Sequence, residues 1–176
     1  YPRHRTMALV DINDPTVIHD QRLLGLFQHW HSRLNGRRMP ASDDFDRAEL
    51  ARWIDNLMLI DVPGEIADFR IRWLGINVAA MFGTSRAGTG IEAMTSAGER
   101  DSVLPQYRIV IDTGVPAYYA TEVELSQRGV VAQQKLILPL SSSGRKVDAV
   151  LAGIYPELPR KPRKTQRRAD GGRSPG

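Results

Sequence analysis

The chain contains 176 residues, of which 41% are hydrophobic and 25% charged, a composition typical of a soluble globular protein with one ordinary hydrophobic core. It contains no cysteine, which excludes disulfides, thiolate metal sites and cysteine nucleophiles. No apolar segment is long enough to cross a bilayer, and the N-terminal residues show no signal-peptide pattern. We therefore expect a cytoplasmic protein that makes no membrane contact.

The formal net charge of +4 is concentrated at the C-terminal end of the chain. Residues 156–176 carry seven lysines and arginines against two acidic residues, and they contain no aromatic residue. Such a segment buries too little apolar surface to fold, so we expect a disordered basic tail. The tail raises the alternative that the protein associates with nucleic acid. Without aromatic side chains for base stacking, such binding would be weak and independent of sequence.

An amphipathic helix is predicted from Asp20 to Leu34, after an N-terminal extension of residues 1–19. Asp20 is a favourable N-cap residue, and Asn35-Gly36 ends the helical pattern. Apolar residues recur on one face of this helix at three- and four-residue spacing: Leu23, Phe27, Trp30 and Leu34. This face is larger than a lone helix should expose, so we expect it to form a homodimer interface. The alternative is that it packs on the protein's own sheet.

A short helix and a hairpin are predicted after the first helix. Asp46 and Glu49 have the spacing of a capping box, which predicts a short helix that runs through Trp53. Strands are predicted over residues 56–62 and 68–74, because both segments are rich in apolar residues and Pro63-Gly64 separates them.

Alternation along the second of these strands sorts its side chains between two faces. Phe69, Ile71 and Trp73 fall on one face, and Arg70 and Arg72 fall on the other. We therefore expect the arginine face to be charged and exposed to solvent.

The remaining elements are a second helical block followed by three strands. Helices are predicted over residues 77–82 and 99–112, and strands over 117–125, 131–140 and 147–155. Hairpin-length turns within each group of strands indicate antiparallel pairing. The predicted fold is an α+β domain of residues 20–155 with one five-stranded antiparallel sheet.

Several local motifs accompany this element order, and the ordered set resembles the PAS domains, more closely a largely uncharacterised bacterial branch with a helix before the PAS fold. The segments that carry the resemblance are Trp30 with Arg33-Leu34, Gly36-Arg37-Arg38-Met39-Pro40, Asp43-Asp44-Phe45-Asp46, residues 57–62, residues 69–75, Phe82-Gly83, Thr89-Gly90 and Thr113-Gly114-Val115-Pro116. The resemblance implies a non-enzymatic sensory or regulatory module in bacterial signalling. Such a module acts in trans on a partner protein and commonly forms homodimers.

The resemblance also implies a ligand pocket where the concave face of the sheet meets the helices. The side chains expected to line it are Phe69, Ile71, Trp73, Met81, Phe82, Tyr107, Ile111, Tyr119, Gln134 and Leu136. Gln134 is the predicted polar contact, and the rest favour a small apolar ligand. The alternative is that these side chains fill the space and form a closed core.

Residue content limits the cofactors and reactions that this pocket supports. The long predicted helix contains no histidine, which disfavours a haem ligated from that helix, and the missing cysteine excludes a flavin–cysteine adduct. Non-covalent flavin stays open, and the cofactor is not identified. No nucleophile elbow or phosphate-binding loop is present, so we expect no enzymatic activity and no metal site.

Overall fold

The computed structural model describes residues 6–64, 69–82, 90, 97–125 and 129–157. The helices are α1 (Gln21–Ser32), α2 (Ile76–Phe82) and α3 (Ala97–Thr113), and the strands are β1 (Thr6–Leu9), β2 (Leu57–Asp61), β3 (Arg70–Leu74), β4 (Ala117–Leu125), β5 (Gly129–Leu140) and β6 (Ala149–Pro156). All strand pairs are antiparallel, in the order β1-β4-β5-β6-β2-β3. The predicted α+β fold is confirmed. Residues 158–176, most of the predicted basic tail, lie outside the described residues.

The sheet has six strands, because one strand from outside the predicted domain joins the five predicted ones. The additional strand is β1, which pairs with β4 from Thr6↔Ala120 to Leu9↔Ala117. The N-terminal extension therefore contributes an edge strand to the sheet. No helix in the described part of the chain is both long and apolar enough to span a membrane.

Helices or loops cover both faces of the sheet, and each face has its own hydrophobic cluster. On the first face, called the α3 face, Met58, Ile60 and Ile137 pack with residues of α3. On the opposite face, called the α1 face, Leu59 and Leu138 pack with residues of α1. The prediction that the second face of the sheet is exposed to solvent is therefore wrong, because α1 covers it. Arg70 and Arg72 themselves are exposed, as predicted, on the edge strand β3.

Helix α1 packs along the α1 face. Asp20 caps it as predicted, since a side-chain oxygen of Asp20 accepts hydrogen bonds from the amides of Arg22 and Leu23. A Cβ atom on Gly153 of β6 would lie only 2.8 Å from Leu23 Cδ2 and from Leu26 Cδ2. The absent side chain at Gly153 therefore lets the helix approach the sheet closely.

The predicted dimer interface is buried inside the chain. Leu23, Phe27 and Trp30 lie in the cluster of the α1 face, and Leu34 is partly buried against it. The Trp30 indole Nε1 donates a hydrogen bond to the carbonyl oxygen of Pro139 at 3.0 Å. These side chains pack on the protein's own sheet, which was the alternative interpretation, so the stripe is not available to a second copy.

The segment after α1 does not form the predicted helix from Asp46 to Trp53. The chain makes a series of turns and then a short 3-10 helix over Ile54–Asn56. Asp46 Oδ1 accepts a hydrogen bond from the amide of Ala48, but the Glu49 carboxylate binds Arg33 at 2.5 Å. The capping box is therefore incomplete, because the Glu49 side chain pairs with Arg33, the C-cap residue of α1.

A β-bulge in strand β3 changes the predicted alternation. Leu59 pairs with Trp73 and Ile60 pairs with Ile71, which leaves Arg72 as the additional residue. A bulge of this kind re-aims the side chains that follow it. Ile71 consequently lies on the α3 face, whereas Trp73 packs on the α1 face.

Candidate functional site

Seven of the ten predicted pocket residues come together on the α3 face. Phe69, Ile71, Tyr107 and Tyr119 are buried there, and Met81, Phe82 and Ile111 are partly buried against the same cluster. The other three, Trp73, Gln134 and Leu136, lie on the α1 face. The β-bulge at Arg72 places Trp73 there. The helix residues predicted for the pocket thus pack in the same cluster as the predicted strand residues Phe69, Ile71 and Tyr119.

Gln134 and Leu136 face α1 because the alternation of β5 is the reverse of the prediction. Leu136 lies in the cluster of the α1 face. The amide oxygen of Gln134 accepts a hydrogen bond from the hydroxyl of Tyr118, another residue of that side, and its Nε2 donates to Glu157 at 3.0 Å. Gln134 is therefore not the polar contact of the α3 face.

The charged side chain that β5 directs toward the α3 face is Lys135, which follows the buried Gln133 in the same alternation. Ile137, two residues further along β5, points to the same side as Lys135 and belongs to the cluster of the α3 face. Helix α3 packs over this part of β5. Lys135 is 1% exposed, although it is a lysine in the middle of a central strand. A fully buried lysine is uncommon unless a partner compensates its charge.

The contacts of the Lys135 ammonium with described residues are to neutral groups. Its Nζ donates a hydrogen bond to Oε1 of Gln106 at 3.1 Å and lies 5.4 Å from the ring centroid of Tyr107. None of the ion pairs between described residues includes Lys135. Burial lowers the pKa of Lys135 from 10.5 to about 8, because a charged amine is poorly solvated there.

Two tyrosines complete the polar part of the site. Tyr107 of α3 is buried beside Lys135, and the hydroxyl of Tyr119 donates to the backbone oxygen of Gln106 at 3.3 Å. Burial raises the pKa of Tyr119 to about 12 and that of Tyr107 further, so both stay neutral at physiological pH. The site therefore combines aromatic walls, neutral hydroxyls and one cation.

The chemistry of this arrangement is suited to ligand binding. Within the described segments, no three histidine, cysteine, aspartate or glutamate side chains are grouped as metal ligands would be. A buried ammonium with a lowered pKa can pair with an anionic group or donate a hydrogen bond to a carbonyl oxygen. A perturbed titratable group among aromatic walls is a typical feature of functional sites.

Comparisons with known proteins agree with this fold. A model of the PAS domain family matches residues 19–155, and a search of curated proteins finds no match. The PAS domain of a protein from Colwellia psychrerythraea is 9% identical, with 63% of this chain and 96% of that chain covered and a TM-score of 0.48. A light-oxygen-voltage domain studied with a flavin analogue is 13% identical, with 64% and 84% covered and a TM-score of 0.50. Because the family match spans most of its length, the chain belongs to the PAS domain family.

Proposed function

We propose that this chain is a non-enzymatic sensory module that binds a small, mainly apolar ligand with one anionic group on the α3 face. The observation that carries the proposal is Lys135, a buried cation with no carboxylate partner among the described residues. An anionic ligand would supply the missing charge, while Tyr107 and Tyr119 would contact its apolar part.

The signal would pass to a partner protein in trans within bacterial signalling. A ligand shifts a conformational equilibrium only through its different affinities for two states. Lys135 links β5 to α3 through Gln106, so an anion that takes over the ammonium would loosen this link. A change in the packing of α3 is then the output that a partner or a second copy recognises. That recognition surface is not the apolar stripe of α1, which is buried.

Protonation of Lys135 should control this binding. Because the pKa of Lys135 is about 8, the amine is mostly charged at pH 7 and mostly neutral at pH 9. An anion pairs with the charged form, so its affinity should fall as the pH rises through about 8. A ligand bound only by its apolar part would show no such dependence.

A thermal-shift series tests the proposal with matched ligands. Benzoate, phenylacetate and hexanoate are each compared with the corresponding neutral amide, on the full chain, on Lys135→Met and on Lys146→Met. Lys146 is an exposed lysine, so it is the matched control for charge. We expect at least one acid to raise the melting temperature more than its amide does, because a ligand that binds the folded state stabilises it.

The same preference for the acid should persist in Lys146→Met and disappear in Lys135→Met. Equal shifts by acids and amides, or an acid preference that survives in Lys135→Met, would show that Lys135 is not the ligand contact.

A further inference from the structure

A separate cavity of about 240 Å³ lies on the α1 face, on the other side of the sheet from Lys135. Its volume is near the lower end of the range for small-molecule sites, roughly 300 Å³ and upward. It opens between the segment that contains Ser42 and Leu50 and the strands β2, β3, β5 and β6. Its lining residues are Ser42, Asp43, Phe45, Arg47, Leu50, Leu59, Arg72, Trp73, Leu140 and Leu151.

The inner lining is aliphatic and buried. Leu50, Leu59, Leu140 and Leu151 are all buried members of the cluster on the α1 face. The bulge at Arg72 adds the ring of Trp73, which would otherwise lie on the α3 face. These side chains form a surface for a compact apolar group.

The rim carries two opposite charges that have no ion-pair partner in the described structure. Arg47 lies over the ring of Trp73, with its Cζ 5.4 Å from the ring centroid, and it is absent from the ion pairs. Asp43 is exposed at the same rim and is equally absent from those pairs. Arg47 thus makes a cation–π contact with Trp73, while its hydrogen-bond donors have no partner among the described residues.

The other arginine of the cavity is already neutralised. Nε and Nη2 of Arg72 donate to the carboxylate of Asp61, and Nη1 donates to Oγ of Ser42 at 3.2 Å. Asp43 acts on Arg72 only at longer range, so the charges left to pair directly with a ligand are one positive and one negative, both at the rim of the apolar cavity.

We propose that this cavity binds a free apolar α-amino acid of about the size of leucine. Its carboxylate would pair with Arg47, its ammonium with Asp43, and its side chain would occupy the space between the four leucines. The N-terminal residue of a peptide offers the same ammonium and side chain, but it has no carboxylate for Arg47. This inference does not depend on the ligand proposed for Lys135, because the two sites lie on opposite faces of the sheet.

The test follows the indole NH resonance of Trp73 in the full chain, assigned with Trp73→Phe. The probes are leucine, 4-methylvalerate, which lacks the ammonium, isoamylamine, which lacks the carboxylate, and leucinamide, which imitates a peptide N-terminus. Leucine is expected to shift this resonance in a saturable way. Each of the other probes should bind at least about tenfold more weakly, the factor that corresponds to one lost charge contact.

Substitutions of exposed charged residues provide a second test, because they remove a charge and leave the core unchanged. Arg47→Gln and Asp43→Asn should each weaken leucine binding about tenfold. Arg52→Gln should leave it unchanged, since Arg52 stacks on Trp53 at 5.3 Å, outside this cavity. The proposal is overturned by an absence of saturable binding, by equal effects of Arg47→Gln and Arg52→Gln, or by leucinamide or 4-methylvalerate binding as tightly as leucine.

Discussion

Replacing Trp30 by alanine is expected to lower the free energy of unfolding by about 3–5 kcal/mol, the range for removing a fully buried tryptophan. The Trp30 side chain is 0% exposed between α1 and the sheet, and its indole NH bonds to Pro139. The alanine variant would leave a cavity in the α1 face and lose the hydrogen bond to Pro139. Urea unfolding monitored by circular dichroism measures the change.

Two control variants make the Trp30 experiment specific. Gln28 is exposed on the same helix, so Gln28→Ala should change the free energy of unfolding by less than about 0.5 kcal/mol. Trp30→Phe keeps an aromatic ring but loses the hydrogen bond, and its effect should lie between the other two. The loss for Trp30→Ala should not depend on protein concentration, because the stripe packs within one chain. A small or concentration-dependent loss would instead place the stripe between chains.

Replacing Lys135 by methionine is expected to stabilise the protein at pH 7. Methionine has a similar length and no charge. The variant therefore lacks the desolvation penalty that lowers the pKa of Lys135 from 10.5 to about 8. That shift corresponds to at most about 3.4 kcal/mol, and the lost hydrogen bond to Gln106 offsets roughly 1 kcal/mol of it. We expect a net gain of about 1–2 kcal/mol at pH 7.

The pH dependence of stability identifies the cause of this gain. Below pH 8 the lysine is protonated in both folded and unfolded chains, so its penalty is fully present. Between about pH 8 and 10.5 the unfolded chain binds more protons, and the stability of the wild type therefore rises with pH. Tyr107 and Tyr119 act in the opposite direction above about pH 10, where unfolded tyrosines lose their protons first.

Unfolding curves should therefore be compared between pH 7 and 9.5. The wild type should gain about 2 kcal/mol relative to Lys135→Met over this interval. Lys146→Met, which removes an exposed lysine, should keep the wild-type dependence. Parallel curves for wild type and Lys135→Met would show that Lys135 is not desolvated in the folded protein.

Most of the secondary structure could be predicted from local patterns in the sequence. The start of α1 at Asp20 follows from a side chain that binds the first amides of the helix. The hairpin of β2 and β3 follows from two apolar segments around Pro63-Gly64. Strand β1 was missed because four residues are too few to show a period and its partner, β4, is more than a hundred residues away.

The two covered faces of the sheet explain the errors at the site. Alternation identifies the buried face of a strand only when the other face is polar. In β5, Leu136 and Leu138 face α1 while Lys135 and Ile137 face α3, so the more apolar set was assigned to the wrong face. Strand β6 is buried over seven consecutive residues from Ala149. That continuous apolar segment was the signal for a second covered face.

The bulge at Arg72 and the burial of Lys135 depend on long-range packing that no local pattern contains. Arg72 is accommodated by Asp61 of the neighbouring strand and by Ser42, 30 residues away along the chain. Lys135 is buried because α3, which supplies Gln106 and Tyr107, covers the middle of β5. A lysine directly before the apolar segment Leu136–Leu138 of a predicted strand is the one clue that the sequence offered.

A titration of the Lys135 amine by NMR, without and with the acid that stabilises the protein most, tests the ligand site directly. The account predicts a pKa of about 8 for Lys135 in the free protein. It further predicts that the bound acid raises this pKa toward the ordinary value of 10.5, since a paired anion favours the protonated amine. A pKa near 10.5 in the free protein, or a pKa near 8 that the acid leaves unchanged, would contradict it.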